Sequence, residues 1–535
     1  MAGATQPSLS VDTTDRTRTF AGVTVALCTL LFVAALAALF GQISLTDPIA
    51  GVPALTVIGS TLLLVGGAVV GLGVASRTGY TVTDPRPSAG VTVGLLLGAV
   101  GATVGGVLGG VVLGLSGASV FAVTLLTGFA CLAATVLPRG DVGTTLAPGV
   151  LTALVGLVFL SGIIGPEWAW SLGWEQQASL TAGIIVPTAT LTCALLGGWA
   201  AAVASRGFGA RGRHAGAYLL VYLNASAIIG VLLVLVAFVV YKGLPGLFRG
   251  AAVGLGVGPD VFGVALPVDV PFAMNGVALM NDVNGVLPAI VGTIWLVVGA
   301  VLLAVPLGVG AAVFLTEYAP QGRFTQVVEV ATNGLWSTPS IVFGLFGFAF
   351  LVPRFGNQKS LLAGAITLGF MLLPLVIITS REAMLSVPDE YRDASAALGV
   401  SKWQTIRSVV LPAAAPGVVT GVILGVGRIA GETAPILLTM AGGVFVPGSQ
   451  TVDVIGGFQF TAAPPFVSNP ELLQATSALP YQLYALITAG VGASGNVGDA
   501  DAFRWATALV LLVVVLSFYA IGIAARQYFR RKIQR

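Results

Sequence analysis

The chain is 535 residues long, 56% of them apolar and only 8% charged, with 72 glycines and a formal net charge of +3. A soluble globule needs about 25% charged residues, so this composition excludes that class and places the chain in a bilayer. The net charge says little, because orientation follows where Arg and Lys fall along the chain.

Runs of about 20 apolar residues are enough to cross about 30 Å of hydrocarbon. Twelve such spans follow in order, at about 20–40, 53–75, 89–115, 120–137, 146–164, 180–204, 215–241, 286–316, 331–352, 361–386, 413–440 and 505–525. The first exceeds the roughly 7 to 15 apolar residues of a signal-peptide core and is expected to be retained as a helix. The expected fold is all-α, a polytopic membrane protein of about twelve transmembrane helices.

In the third span, "GLLLGAVGATVGGVLGG" stacks Gly94 with Gly98, Gly101 with Gly105 and Gly106 with Gly110 at four-residue spacing. Such stripes let helices approach closely. Cys28, Cys131 and Cys193 lie within spans, where thiols pack as small apolar groups and build neither a disulfide framework nor a metal set. If the spans alternate, one side collects Arg16, Arg18, Arg77, Arg86, Arg139, Arg206, Arg211, Arg213, Arg323, Arg381, Arg392, Lys402, Arg407 and the Arg526–Arg535 tail, outnumbering the exceptions Lys242, Arg249, Arg354, Lys359 and Arg504 on the other. That side is expected to be cytoplasmic, with both termini on it. The other side carries Asp47, Glu167, Glu175, Asp260, Asp269, Asp282, Glu471, Asp499 and Asp501, with Trp168, Trp170 and Trp174 as either an interfacial belt or a packed loop.

The basic connection 206–214 separates two sets of six spans, 1–205 and 206–535. Downstream the connections lengthen, at about 242–285 and 441–504; the second holds "LLQATSALPYQLYALI", expected as a re-entrant or interfacial helix. The halves show no self-similarity that would mark an inverted repeat. Several chemistries lack their residues. His214 has no cysteine partners for zinc. None of Lys242, Lys359, Lys402 or Lys532 follows a glycine, as a phosphate-cradling P-loop requires, and no G-x-S-x-G turn appears. No catalytic residue, metal or cofactor is expected in this chain, nucleic acid is not an expected partner, and ATP hydrolysis would fall to a partner.

The stretch "DASAALGVSKWQTIRSVVLP", Asp393 to Pro412, interrupts the apolar pattern. Pro388 suits a first helical turn. Tyr391, Ala394, Ala397 and Leu398 then form a short apolar stripe, with Asp389, Glu390, Arg392 and Asp393 on other faces. Gly399 stops that helix. Ser401 with Gln404 reads as a capping box starting a second, with Trp403, Ile406, Val409 and Val410 on one side, which Pro412 closes. One face anchors and one presents. The spacing of Asp393, Ala394, Ser395, Gly399, Val409, Leu411 and Pro412 resembles the EAA loop of ATP-binding-cassette importer permeases, with Asp and Ser in the family's Glu and Ala positions and Val in its Ile position. That resemblance implies a coupling loop, at about 387–412, that docks on a cytoplasmic ATPase.

Just beyond lies "GVGRIAGETAPILLT", which places Arg428 and Glu432 inside a span at i,i+4. An ionisable residue at membrane depth is functional by default, and Arg presents a planar fork to an oxyanion; a purely structural ion pair is the alternative. In "STPSIVFGLFG", Pro339 breaks the helix, Thr338 and Ser340 can satisfy the freed groups, and Gly344 and Gly347 leave backbone open along a path, or the segment is a simple packing kink. "GETAP", "GVLPAIVGT", "STPSIVFGLFG" and "ALPYQLY" together resemble the PstA-type phosphate importer permeases over about 215–535. The resemblance implies that 206–535 forms a type I importer permease domain with six helices. It implies as partners a PstC-type permease, a PstB-type ATPase dimer, an extracytoplasmic phosphate-binding protein, and phosphate as substrate. It says nothing of 1–205. Molybdate, tungstate or sulfate in place of phosphate, a gradient-driven secondary transporter and a membrane-embedded enzyme are the alternatives.

Overall fold

The computed structural model describes residues 9–534 apart from 82, 112, 172–178, 255, 259, 262–263, 266, 277–284, 321, 442–450, 463, 465 and 489–499. Trp174, Glu175, Asp282 and Asp499 lie outside the described residues. Among these residues, eleven helices are long and apolar enough to cross a membrane, and a twelfth span exists if one bent helix pair is counted as a crossing. Two compact units divide at Val234 and Leu235.

The first unit contains α1 (Leu9–Leu39), α2 (Ala54–Arg77), α3 (Val91–Val111), α4 (Ala118–Val136), α5 (Gly140–Leu160), α6 (Ala182–Ser205) and the start of α7 (Ala210–Leu247). Its pairs are α2 with α5, α3 with α4, and α1 with α6. Cys28, Leu62, Val65, Val69, Val186 and Ala194 are buried in its core. The glycine stripe packs helices: a Cβ at Gly98 would lie 3.1 Å from the Gly128 carbonyl oxygen of α4, although Gly110 at its end faces open space. Buried hydroxyls turn back on their own helices, as Thr152 to the Pro148 carbonyl and Thr190 to that of Val186, both at 2.7 Å. This satisfies them where no water is at hand. Trp170 is exposed on a strand (Ala169–Ser171) paired with Ser179–Thr181, whereas Trp168 packs on the core.

Downstream of the connection 206–214, the compact units divide within α7. Its early residue Leu223 is buried in the first unit's core, while Gly243 and Gly246 lie against Leu509 and Ala506 in the second unit.

The second unit adds α8 (Pro271–Met274), α9 (Leu287–Val313) with a π turn at Phe314–Tyr318, α10 (Arg323–Ser337), α11 (Ser340–Phe346), a π turn at Gly347–Leu351 and α12 (Val352–Arg354). It continues with α13 (Leu361–Leu385), α14 (Asp389–Ala397), α15 (Lys402–Thr405), a π turn at Ile406–Val410, α16 (Leu411–Ala430), α17 (Ala434–Thr439), α18 (Leu479–Thr488) and α19 (Ala500–Gln534). The helix expected in "LLQATSALPYQLYALI" is α18, with Leu479 and Tyr481 buried and the Leu479 amide donating to Thr293 Oγ1 at 2.9 Å. Leu296, Leu368, Leu372, Ile429, Ile436 and Met440 form the central core.

The break expected at Pro339 is a sharp one: α10 and α11 meet at 99° within the span at 331–352. Two expectations change. The span at 413–440 breaks after Ala430. Pro412 does not close a helix, since Lys402–Ala430 runs as one crossing. The π turn just before Pro412, where the Leu411 amide bonds the Ile406 carbonyl, widens the helix where proline lacks a donor.

Candidate functional site

Both breaks in the helices of the second unit lie beside a proline, which cannot sit in a helix interior without losing a hydrogen bond. Pro339 (φ −57°, ψ 138°) and Thr338 before it (φ −67°, ψ 133°) are both extended, because the proline ring pushes its predecessor out of the helical region. The Gly334 carbonyl freed by this break accepts from Thr338 Oγ1 and Ser337 Oγ, each at 2.9 Å. Ser337 therefore takes the role expected of Ser340, whose hydroxyl bonds no described residue. In the other break, Gly431, Glu432 and Thr433 separate α16 from α17, and Pro435 sits in the first turn of α17.

The two breaks are packed together. A Cβ at Gly344 of α11 would stand 2.9 Å from the Pro435 Cα of α17. Gly344 and Gly347 are thus buried contact points between helices and do not leave backbone open, as the sequence had suggested.

Arg428 occupies the last turn of α16, and Glu432 lies beyond its end, so the two do not share a helix face as their spacing implied. They still meet, with Nε to Oε1 at 3.8 Å. That exceeds the roughly 2.7–2.9 Å of a charge-assisted hydrogen bond. The guanidinium lies 4.2 Å over the Trp336 ring, one turn ahead of the α10 bend. Arg428 donates no hydrogen bond to any described residue. The cluster is a cation held by an aromatic face and a loose carboxylate, with its donors left over.

Beside the bend, an apolar cavity of about 400 Å³ is lined by Thr338, Phe343, Phe346, Phe370 and Pro374. A polar cavity of about 160 Å³ is lined by Glu329, Thr332, Asn333, Arg381 and Glu382, with Arg381 Nη1 and Glu329 Oε1 paired at 3.0 Å.

The interrupting stretch folds as two helices around a turn. Pro388 is the N-cap of α14, one residue ahead of its first turn. At its end Gly399 is left-handed at φ 68°, its amide bonds the Ala396 carbonyl at 2.9 Å, and the Val400 amide bonds that of Ser395 at 3.2 Å. This is a Schellman motif. Ser401 then caps the next helix, its amide donating to Gln404 Oε1 at 3.2 Å.

The face that anchors is not the apolar stripe. Tyr391 (56% exposed), Leu398 (82%) and Trp403 (55%) point outward, as do Glu390, Asp393 and Ala394. The loop is held instead by Ser395, Thr405, Ile406 and Val410, which are buried, by Leu411 packed beside them, and by Arg392. Arg392 Nη2 reaches Glu317 Oε1 at 3.0 Å and the Met384 carbonyl at 3.0 Å, while Nη1 reaches Asp389 Oδ1 at 3.0 Å and the Val387 carbonyl at 2.8 Å. Lys402 Nζ lies 5.1 Å over the Tyr318 ring. The π turn ending α9 is thus gripped from both arms of the loop. Glu317, Tyr318 and Trp336 were missed in the sequence. The only signal for the first two was a carboxylate and a tyrosine at a span end, and for Trp336 its place just before "STPS".

The binding-protein-dependent transport system inner membrane component family matches residues 304–535. The "Probable ABC transporter permease protein YqgI" of Bacillus subtilis is 35% identical over 225 residues, covering 42% of this chain and 71% of the relative. The "Phosphate transport system permease protein PstA 1" of Mycobacterium tuberculosis is 36% identical over 244 residues, covering 45% and 71%. The PstA protein of Haemophilus influenzae is 37% identical over 203 residues, covering 37% and 71%. Among solved structures, the inward-facing MetNI methionine ABC transporter aligns over 46% of this chain and 94% of its own, at 18% identity and a TM-score of 0.31.

Proposed function

We propose, from the premise that this chain belongs to the family of binding-protein-dependent transport system inner membrane components, that it is the permease subunit through which an ATP-driven importer carries inorganic phosphate. Relatives named as phosphate transport permeases support the substrate. The observation that carries the reading is the Arg428 cluster, a guanidinium with unused donors where two broken helices meet. Phosphate oxygens accept two parallel N–H donors from arginine, which a point charge does not match. Glu432 neutralises Arg428 between substrates and gives way when phosphate takes its donors. Trp336 keeps the guanidinium plane in position. Thr338 and Ser340 line the same bend on the substrate path.

The loop at 387–412 faces the cytoplasm with both termini, following the placement of Arg and Lys. Tyr391, Leu398 and Trp403 form its apolar face, which seats in a cleft of a PstB-type ATPase dimer. ATP binding there moves the loop, and Arg392 with Lys402 passes that movement to α9 through Glu317 and Tyr318. A PstC-type permease and an extracytoplasmic phosphate-binding protein complete the machine.

Uptake of radiolabelled phosphate by cells expressing the complete importer tests the path. Arg428→Ala is expected to lower uptake at least about tenfold, the worth of a charge-assisted contact, with the protein still present in the membrane. Unchanged uptake would remove Arg428 from the path.

A further inference from the structure

We propose that the first unit carries a binding site for a phosphate-bearing anion, in a cavity where α1 at Thr17 and Arg18, the end of α6 and the start of α7 meet the segment after α2. This rests on no part of the import reading. The cavity holds about 270 Å³ and is lined by Arg18 of α1, Arg206 after α6 and Arg211 in the first turn of α7, together with Thr81 and Thr83. No carboxylate lines it. Among the described residues none of the three guanidiniums has an acidic partner.

Arginines scattered at span ends need only orientation to explain them. Three that converge from separate segments on one cavity, all exposed and therefore able to meet a ligand from solution, offer their donors to one anion. Two further features suit an anion. The cavity opens beside the N-terminus of the 38-residue α7, whose first-turn amides have no intrahelical partners. The turn that brings Arg206 and Arg211 together holds Gly207 at φ 76° and Phe208 at φ 63°, a left-handed pair uncommon for a bulky residue, with Phe208 buried as its anchor. The Asp84 amide ties the segment after α2 to this turn by donating to the Gly207 carbonyl at 3.0 Å.

The hydroxyls narrow the ligand. Ser76 Oγ donates to Asp141 Oδ2 at 2.9 Å, since a carboxylate only accepts. Ser76 has one proton, so in its 2.7 Å contact with Thr83 the threonine is the donor. Thr83 is left with accepting lone pairs on the cavity wall. Inorganic phosphate or a phosphate monoester carries a P–OH that donates to it. Sulfate and a lipid phosphodiester do not.

The full-length chain in neutral phosphatidylcholine nanodiscs, bearing Arg428→Gln to silence the other unit's arginine, is titrated with radiolabelled inorganic phosphate. Saturable binding is expected, weakened at least about tenfold by R18Q/R206Q/R211Q and not displaced by equal sulfate. Thr83→Val should narrow the preference for phosphate over sulfate. Arg206→Lys serves as a fold-safe variant, expected to bind more weakly than arginine yet more tightly than Arg206→Gln. In a second arm, phosphatidylglycerol is added and its retention read by native mass spectrometry. Retention lost in the triple variant, without inorganic phosphate binding, assigns the site to a lipid headgroup and overturns the role given to Thr83. Phosphate and lipid binding that ignore all three arginines overturn the site.

Discussion

In the first unit every described helix long enough to span runs unbroken, whereas the second unit bends one candidate crossing by 99°, ends another at Ala430 ahead of the short α17, and inserts three π turns. Both units are built from similarly apolar helices. The difference is where polar groups can act. In an unbroken helix the backbone satisfies itself, and a buried hydroxyl or carboxylate spends its capacity on neighbours, as Asp141 does on Ser76 and on the Val142 amide. A broken helix frees carbonyls and side chains at membrane depth, and there the second unit places Arg428, Glu432 and Thr338. The first unit keeps its available charge at helix ends.

This contrast can be sharpened by substitution. The largest expected effect is at the loop anchor. Arg392→Ala leaves Glu317 buried without its cation, which costs about 3 kcal/mol. Lower thermal stability and earlier protease cleavage between α13 and α15 are expected, with transport lost. An unchanged melting temperature would show that the four contacts of Arg392 do not hold the loop.

Gly399→Ala acts through backbone alone, because a Cβ there meets nothing within 4 Å. The left-handed conformation costs an L-residue about 1–2 kcal/mol. Co-purification with the ATPase should weaken about fivefold or more, while the spans stay folded. Undiminished co-purification would detach the turn from docking.

Asp141→Asn is the control for the first unit. It keeps an acceptor for Ser76 and should cost about 1 kcal/mol of stability, with phosphate uptake unaltered. Abolished uptake in a stably folded variant would break the comparison, since it would place transport chemistry inside an unbroken bundle.

Much of the fold was legible. Hydropathy marks spans because each needs only its own length of apolar residues, and eleven of the twelve emerge as continuous crossings through at least part of their expected length. The loop's turn was legible as well, since Gly399 and the Ser401 cap act within four residues. Of the two breaks, the one at Pro339 was legible from the proline itself, though not its 99° angle. The one at Gly431 to Thr433 was not, because a hydropathy window averages across it and a greasy segment reads alike whether straight or bent. Which apolar residues of the loop anchor and which present was not legible: Trp403 shares a side with Ile406 and Val410 in the sequence pattern, and only the packing buries the latter two and leaves Tyr391, Leu398 and Trp403 outward.

The sequence by itself determined the bilayer, the approximate order of spans, the helix–turn–helix and the presence of an ionisable pair beside a span, because each depends on composition or on neighbours a few positions apart. Tertiary structure alone decided which groups meet. Arg392 grips Glu317 across 75 positions, and Arg428 lies on the Trp336 ring. These contacts follow from how the helices pack, and packing is a property of the whole unit that no local pattern encodes.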